Sequence, residues 1–195
     1  MFNRNKSISS LERFIYKHLG YTESSAYLLS NIIGVLIDVK PSAQCDWPLL
    51  KSDIKTLWLL KQKLESLKLV VIFGENESSF KVFYVAKSHK RAELIKKAFE
   101  NLHDKGASAE IHTEIGKLLG YPDTAVQYYI RLHPEKGMSD NHRAMIIRNR
   151  FYAHSLSHED EEFDSYEKPI YRYLSRHCPR TAKLYQKNAE KRWLD

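Results

Sequence analysis

The sequence predicts an α+β fold: a small antiparallel sheet with packed helices, ordered as a β-α-β-β-α lobe over about residues 1–106, then an all-helical C-terminal half over about residues 107–195. Three observations carry that expectation. Two β-rich runs, residues 69–73 and 80–86, flank the polar stretch Gly74-Glu75-Asn76-Glu77-Ser78-Ser79 as the strands of a hairpin flank their loop. Elsewhere apolar residues recur at intervals of three and four, the period of a helix with one buried face. Beyond Ala107 the strand signal stops, and glycine and proline punctuate one helical pattern after another. A chain of 195 residues suits one substantial core, so a single domain with two packed lobes is expected.

In order along the chain, Leu11, Phe14, Ile15 and Leu19 have the spacing of a buried helical face, and Gly20 stands where a helix ends. A second helix is expected from about Thr22 towards Ile33. Residues 34–40 read as a strand, Gly-Val-Leu-Ile-Asp-Val-Lys, closed by Pro41 and Ser42. Leu50, Ile54, Leu57, Trp58 and Leu64 predict an amphipathic helix over residues 48–67, and Ala92, Ile95, Ala98, Phe99 and Leu102 another over 89–104 with Gly106 as its stop.

Composition excludes several classes. The richest apolar stretch, residues 28–39, is broken by Ser30, Asn31 and Asp38, so no membrane span is expected. Residues 1–10 are followed by Leu11-Glu12-Arg13 rather than an apolar core and cleavage site, which does not read as a secretory signal. Cys45 and Cys178 stand in unrelated contexts, giving neither a disulfide framework nor a thiolate metal site, and a cytoplasmic protein is the expectation. Nine histidines form no His-x-His or His-Glu-x-x-His; the pair His154 and His158 beside Glu159, Glu161 and Glu162 is the nearest approach to a ligand set, so no metal is expected. With no phosphate-cradling glycine loop and no Gly-x-Ser-x-Gly, no cofactor is expected either.

The distribution of charge is more informative than its total. The formal net charge is +7; residues 158–164 hold five acids, whereas residues 166–195 hold eight Lys or Arg against three acids. In that basic tail Tyr166, Tyr171, Tyr173 and Tyr185 alternate with Arg172, Arg176, Arg180, Lys183 and Lys187, a pattern that can stack on bases while cations hold phosphates, or equally form the core and rim of a helical hairpin.

Two stretches carry resemblances. Residues 112–131, with Gly116 where two helices cross, Gly120 at the turn and Val126 as the plug between them, resemble the helix-turn-helix of DNA-binding proteins. That resemblance implies base contacts from Thr124, Gln127 and Arg131, although Asp123 would then stand close to phosphates; a structural corner between helices is the alternative. Gly116-Lys117-Leu118-Leu119-Gly120-Tyr121-Pro122 also resembles an uncharacterised group of bacterial and archaeal proteins sharing a Leu-Gly-Tyr-Pro motif, which implies a compact α+β protein and no particular activity.

The second stretch, Arg148-Asn149-Arg150-Phe151-Tyr152-Ala153-His154, resembles the Arg-x(4–6)-His signature of HEPN-family ribonucleases. The resemblance implies metal-independent RNA cleavage in which Arg148 holds the phosphate, His154 moves the 2′-hydroxyl proton and Asn149 orients one or the other. Six positions along a helix leave Arg148 and His154 about 120° apart and roughly 9 Å along the axis. The resemblance implies that such a site is completed by a second copy of the motif across a homodimer. RNA is thus the expected partner and DNA the alternative, while an ordinary amphipathic helix with no chemistry remains the plain reading of the same residues.

Overall fold

The computed structural model describes residues 4–48, 54–74, 80–132 and 163–190. Among them are eight α-helices and one three-stranded antiparallel sheet, an α+β architecture. Helix α1 (Arg4–Leu19) ends at Gly20, whose φ of 78° is a left-handed conformation that glycine adopts without steric cost. Thr22 caps α2 (Glu23–Leu36) by accepting from the Ser25 amide at 3.2 Å. Strand β1 (Ser42–Pro48), α3 (Ile54–Ser66) and the pair β2 (Val70–Phe73) and β3 (Phe80–Ala86) follow. Then come α4 (His89–Lys105), α5 (Ala109–Leu119), α6 (Asp123–Leu132), a π-helical turn (Phe163–Glu167), α7 (Lys168–His177) and α8 (Pro179–Glu190).

The strand expected over residues 34–40 is corrected by the structure. Residues 34–36 finish α2, residues 37–41 form a bend with Asp38 at φ 66°, and the first strand starts at Ser42, where the sequence signal ended. The physical reason is burial on all sides. Helix α2 is packed by α1, α7, α8, β1 and β3, so residues 28–36 are buried all round and show neither a period of two nor a polar face. A short apolar run with β-branched residues then looks like a strand.

Strand β3 lies between the other two, with Tyr84 opposite both Gln44 and Ile72. Alternation assigns the two sheet faces. Ala43, Cys45, Trp47, Val71, Phe83 and Val85 join the main core, which draws on α1, α2 and α3 and also on Tyr166, Ile170, Leu174, Cys178 and Ala182 from the far end of the chain. Val82 and Tyr84 face the other way, into a smaller cluster with Ile95 and Ala98 of α4 and Ile115 and Leu119 of α5. The sheet is thus a middle layer between two sets of helices, and Tyr121 packs against both clusters. No helix among the described residues is long and apolar enough to cross a membrane.

Candidate functional site

The basic tail forms a helical hairpin. Pro169 in the first turn of α7 and Pro179 at the start of α8 sit where a missing backbone N–H costs nothing. Ile170 and Leu174 face inward and are fully buried, and Cys178 and Ala182 continue the same inner seam. That seam leaves Arg172 and Arg176, four residues apart on α7, and Arg180 and Lys183, three apart on α8, exposed to solvent. Lys187 lies one turn further along α8.

From Lys168 to Ala189 there is no Asp or Glu at all. Among the described residues Arg172, Arg176 and Lys183 enter no ion pair, and Arg180 rests on the Tyr21 ring with its guanidinium carbon 5.5 Å from the centroid. The tyrosines expected to alternate with these cations divide: Tyr166 is buried, and Tyr171 and Tyr173 are half-buried against the core. These three are therefore the packed side of the hairpin, and the exposed side is cationic.

One acid is placed to hold this hairpin on the molecule. The Glu12 carboxylate of α1 is buried and accepts from the Thr181 amide at 3.1 Å and the Thr181 hydroxyl at 2.7 Å. Thr181 is the third residue of α8, so the carboxylate caps a helix N-terminus from another element and meets the positive end of its dipole. Tyr16 adds a 2.5 Å hydrogen bond to the Thr181 hydroxyl, and burial pushes its phenol pKa up.

The α5–α6 corner forms as the sequence implies. The Tyr121 amide donates to the Gly116 carbonyl at 2.9 Å and the Gly120 amide to Lys117 at 3.1 Å, with Gly120 at φ 78°, the arrangement that satisfies the last carbonyls of a helix. A Cβ on Gly116 would meet Val126 Cγ2 at 2.5 Å, so the two helices cross where Gly116 has no side chain. Gln127 and Arg131 are exposed on α6, with Arg131 Nε donating to the Gln127 carbonyl at 3.3 Å, and Thr124 is half-buried. The exposed charges of this corner are Glu110, Glu114 and Asp123 against Lys117 and Arg131, a poor surface for phosphates.

What sequence reasoning missed is a lysine inside. The bend after α2 folds back on it, with the amides of Val39 and Lys40 both donating to the Gly34 carbonyl at 3.0 Å. The Lys40 stem crosses Gly34, where a Cβ would meet Lys40 Cδ at 2.7 Å. Its amine, on a residue only 2% exposed, donates to Asn31 Oδ1 and lies 5.6 Å from the Tyr121 ring centroid and 5.9 Å from that of Tyr166. Burial pushes the Lys40 pKa down to about 7, against a smaller upward pull from Cys45, whose own thiol burial raises to about 12.

Tyr27, one turn before Asn31, shows 41% of its surface to solvent, yet its surroundings are dense enough to push its phenol pKa up, while hydrogen bonds with Asn31 and Tyr121 pull the other way. It is a recessed ring beside Asn31, the residue that accepts from Lys40. Tyr166 donates to the Leu119 carbonyl at 3.2 Å and Ser42 to that of Leu118 at 2.5 Å, so the end of α5 is tied to this cluster from two sides. The signal that could have found it is Asn31 inside the most apolar stretch of the chain and Lys40 just past its end, with Tyr27, Asn31 and Gly34 on one helical face.

Comparison with known proteins brings no family model, no curated protein and no solved structure that matches this chain. Arg148, Asn149 and His154, and with them His158, lie outside the described residues. Among the described residues no three His, Cys, Asp or Glu side chains converge as a metal site would require.

Proposed function

We propose that this chain interacts with RNA, holding phosphates on the exposed face of α7 and α8, and that Arg148, Asn149 and His154 carry a metal-independent cleavage of the HEPN type. The observation that supports the binding step is the exposure of Arg172, Arg176, Arg180 and Lys183 on a stretch of chain without a single acid. Cations held at helical spacing on a packed hairpin present a fixed row of charge to a polyanion. The cleavage step is supported by the Arg148 to His154 spacing and by the chemistry those groups can do together: a guanidinium stabilises charge on phosphate while an imidazole moves the 2′-hydroxyl proton.

The binding step is tested with the double variant Arg172→Glu and Arg176→Glu, which should lose most affinity for a labelled single-stranded RNA at moderate salt while keeping its melting temperature. The cleavage step predicts RNA scission in excess EDTA that His154→Ala abolishes without weakening binding. Full cleavage by His154→Ala would remove the chemistry, and an unchanged affinity in the charge-reversed variant would remove the binding face.

A further inference from the structure

Resting on that RNA reading, we infer that the bound strand is single-stranded and runs from the α7–α8 hairpin across α1 to α3, where a base stacks on Trp58. The path is built by helix α1. At about 100° per residue, Ser9, Glu12 and Tyr16 face the hairpin, through hydrogen bonds to the His177 carbonyl at 3.4 Å and to Thr181. Ser10 and Phe14 face α3, where the Lys63 amine donates to the Ser10 hydroxyl at 3.0 Å and lies 5.4 Å from the Phe14 ring centroid. Arg13 and Lys17 stand in the arc between these two sides and are exposed. The only acid of α1, Glu12, is turned inward onto Thr181. The ridge between hairpin and α3 thus carries Arg13 and Lys17 with no acid of α1 facing solvent, and with helix axes 8–10 Å apart it spans roughly 20 Å.

At its far end α3 presents Ile54 and Trp58, 69% and 52% exposed, one turn apart, with Leu59 beside them at 43%. A tryptophan half open to solvent is uncommon, and this one is held. The Phe73 ring meets it edge-on at 6.1 Å, and the Lys61 amine sits 5.1 Å from its centroid. A fixed indole with a cation beside it can take an unstacked base, the base stacking on the ring while Lys61 turns from Glu65, its partner at 3.7 Å, to the phosphate. At the hairpin end the exposed Tyr21 ring under Arg180 repeats the pairing of aromatic and cation. A duplex keeps its bases stacked inside and has no use for Trp58, which is why the geometry selects a single strand.

The test is fluorescence anisotropy with a labelled uridine dodecamer and, separately, a labelled RNA duplex of the same length, using the full chain. Trp58→Ala should weaken dodecamer binding at least about fivefold, with the salt dependence unchanged because no charge is lost. Trp58→Phe should stay within about twofold, and duplex binding should not respond to either. Dodecamer binding that is lost in Arg172→Glu/Arg176→Glu but equal in wild type and Trp58→Ala would overturn this inference and leave the RNA reading standing. Equal loss on dodecamer and duplex would overturn the single-strand selection. A change in sedimentation of the free Trp58→Ala protein would show the α3 face to be a self-contact and overturn the inference too. No binding of any RNA by the wild type would remove the RNA reading itself.

Discussion

Lys40 makes the folded state sensitive to pH in a direction opposite to that of an ordinary paired lysine. In the unfolded chain the amine keeps its proton up to about 10.5, whereas burial lowers the folded value to about 7. Between those values the unfolded state binds more protons, so stability rises with pH, by up to about 1.4 kcal/mol per pH unit. Below pH 7 both states are protonated and the contribution is flat at its least favourable level. From pH 7 to pH 9 the wild type should therefore gain about 2 kcal/mol from this residue. Across that window the neighbouring Cys45 thiol, at about 12, stays protonated.

Lys40→Met keeps the volume and the stem over Gly34 but removes the titration, at the expense of leaving Asn31 Oδ1 without this donor, a loss of about 1–3 kcal/mol. Urea unfolding at half-unit steps should show two curves that are not parallel. Relative to the variant, the wild type should gain about 2 kcal/mol between pH 7 and 9, roughly 1 M in the urea midpoint. Parallel curves for the two proteins would refute the argument, as they would show an amine that keeps its proton in the fold.

Three further outcomes are expected. Gly116→Ala should destabilise by about 1–3 kcal/mol through overpacking against Val126, and Val126→Ala in the same chain should recover part of that loss in thermal melts, because one contact causes it. Glu12→Ala should cost about 1–3 kcal/mol by orphaning the buried Thr181 amide, while the Thr181 hydroxyl keeps Tyr16 as a partner, and hydrogen exchange should show the first turn of α8 opening before the sheet. Cys45 and Cys178, both buried with thiols near 12, should resist iodoacetamide at pH 8 for as long as the chain is folded and react together in denaturant.

The elements whose period is visible on one face were legible in the sequence. Helix α4 runs from His89 to Lys105 with Ala92, Ile95 and Ala98 inward as their spacing demands, and Gly106 stops it. The β2–β3 pair and the α5–α6 corner follow from local chemistry, a polar loop between β-rich runs in one case and Gly116, Gly120 and Val126 in the other. What was not legible is set by partners distant in sequence. Helix α2 is wrapped by elements from both ends of the chain, so its sequence lost the polar face that would have marked it as helix to Leu36. The Lys40 cluster brings together Tyr27, Asn31, Lys40, Tyr121 and Tyr166, and Glu12 caps a helix 167 positions after it (179 − 12), which no local spacing announces. Of the basic tail, the division into packed tyrosines and exposed cations needed the hairpin to be seen, since the sequence permits either set to face water.

The salt dependence of RNA binding counts the phosphates that the hairpin face holds. Each phosphate contact on a single strand contributes about 0.7 to the slope of log K against log salt. Replacing Arg172, Arg176 and Arg180 together by Gln should therefore reduce the measured slope by about 2, with the fold intact by circular dichroism. A triple variant whose slope matches that of the wild type would show that phosphates are held elsewhere, and the hairpin face would then be no more than the solvated outside of a packed pair of helices.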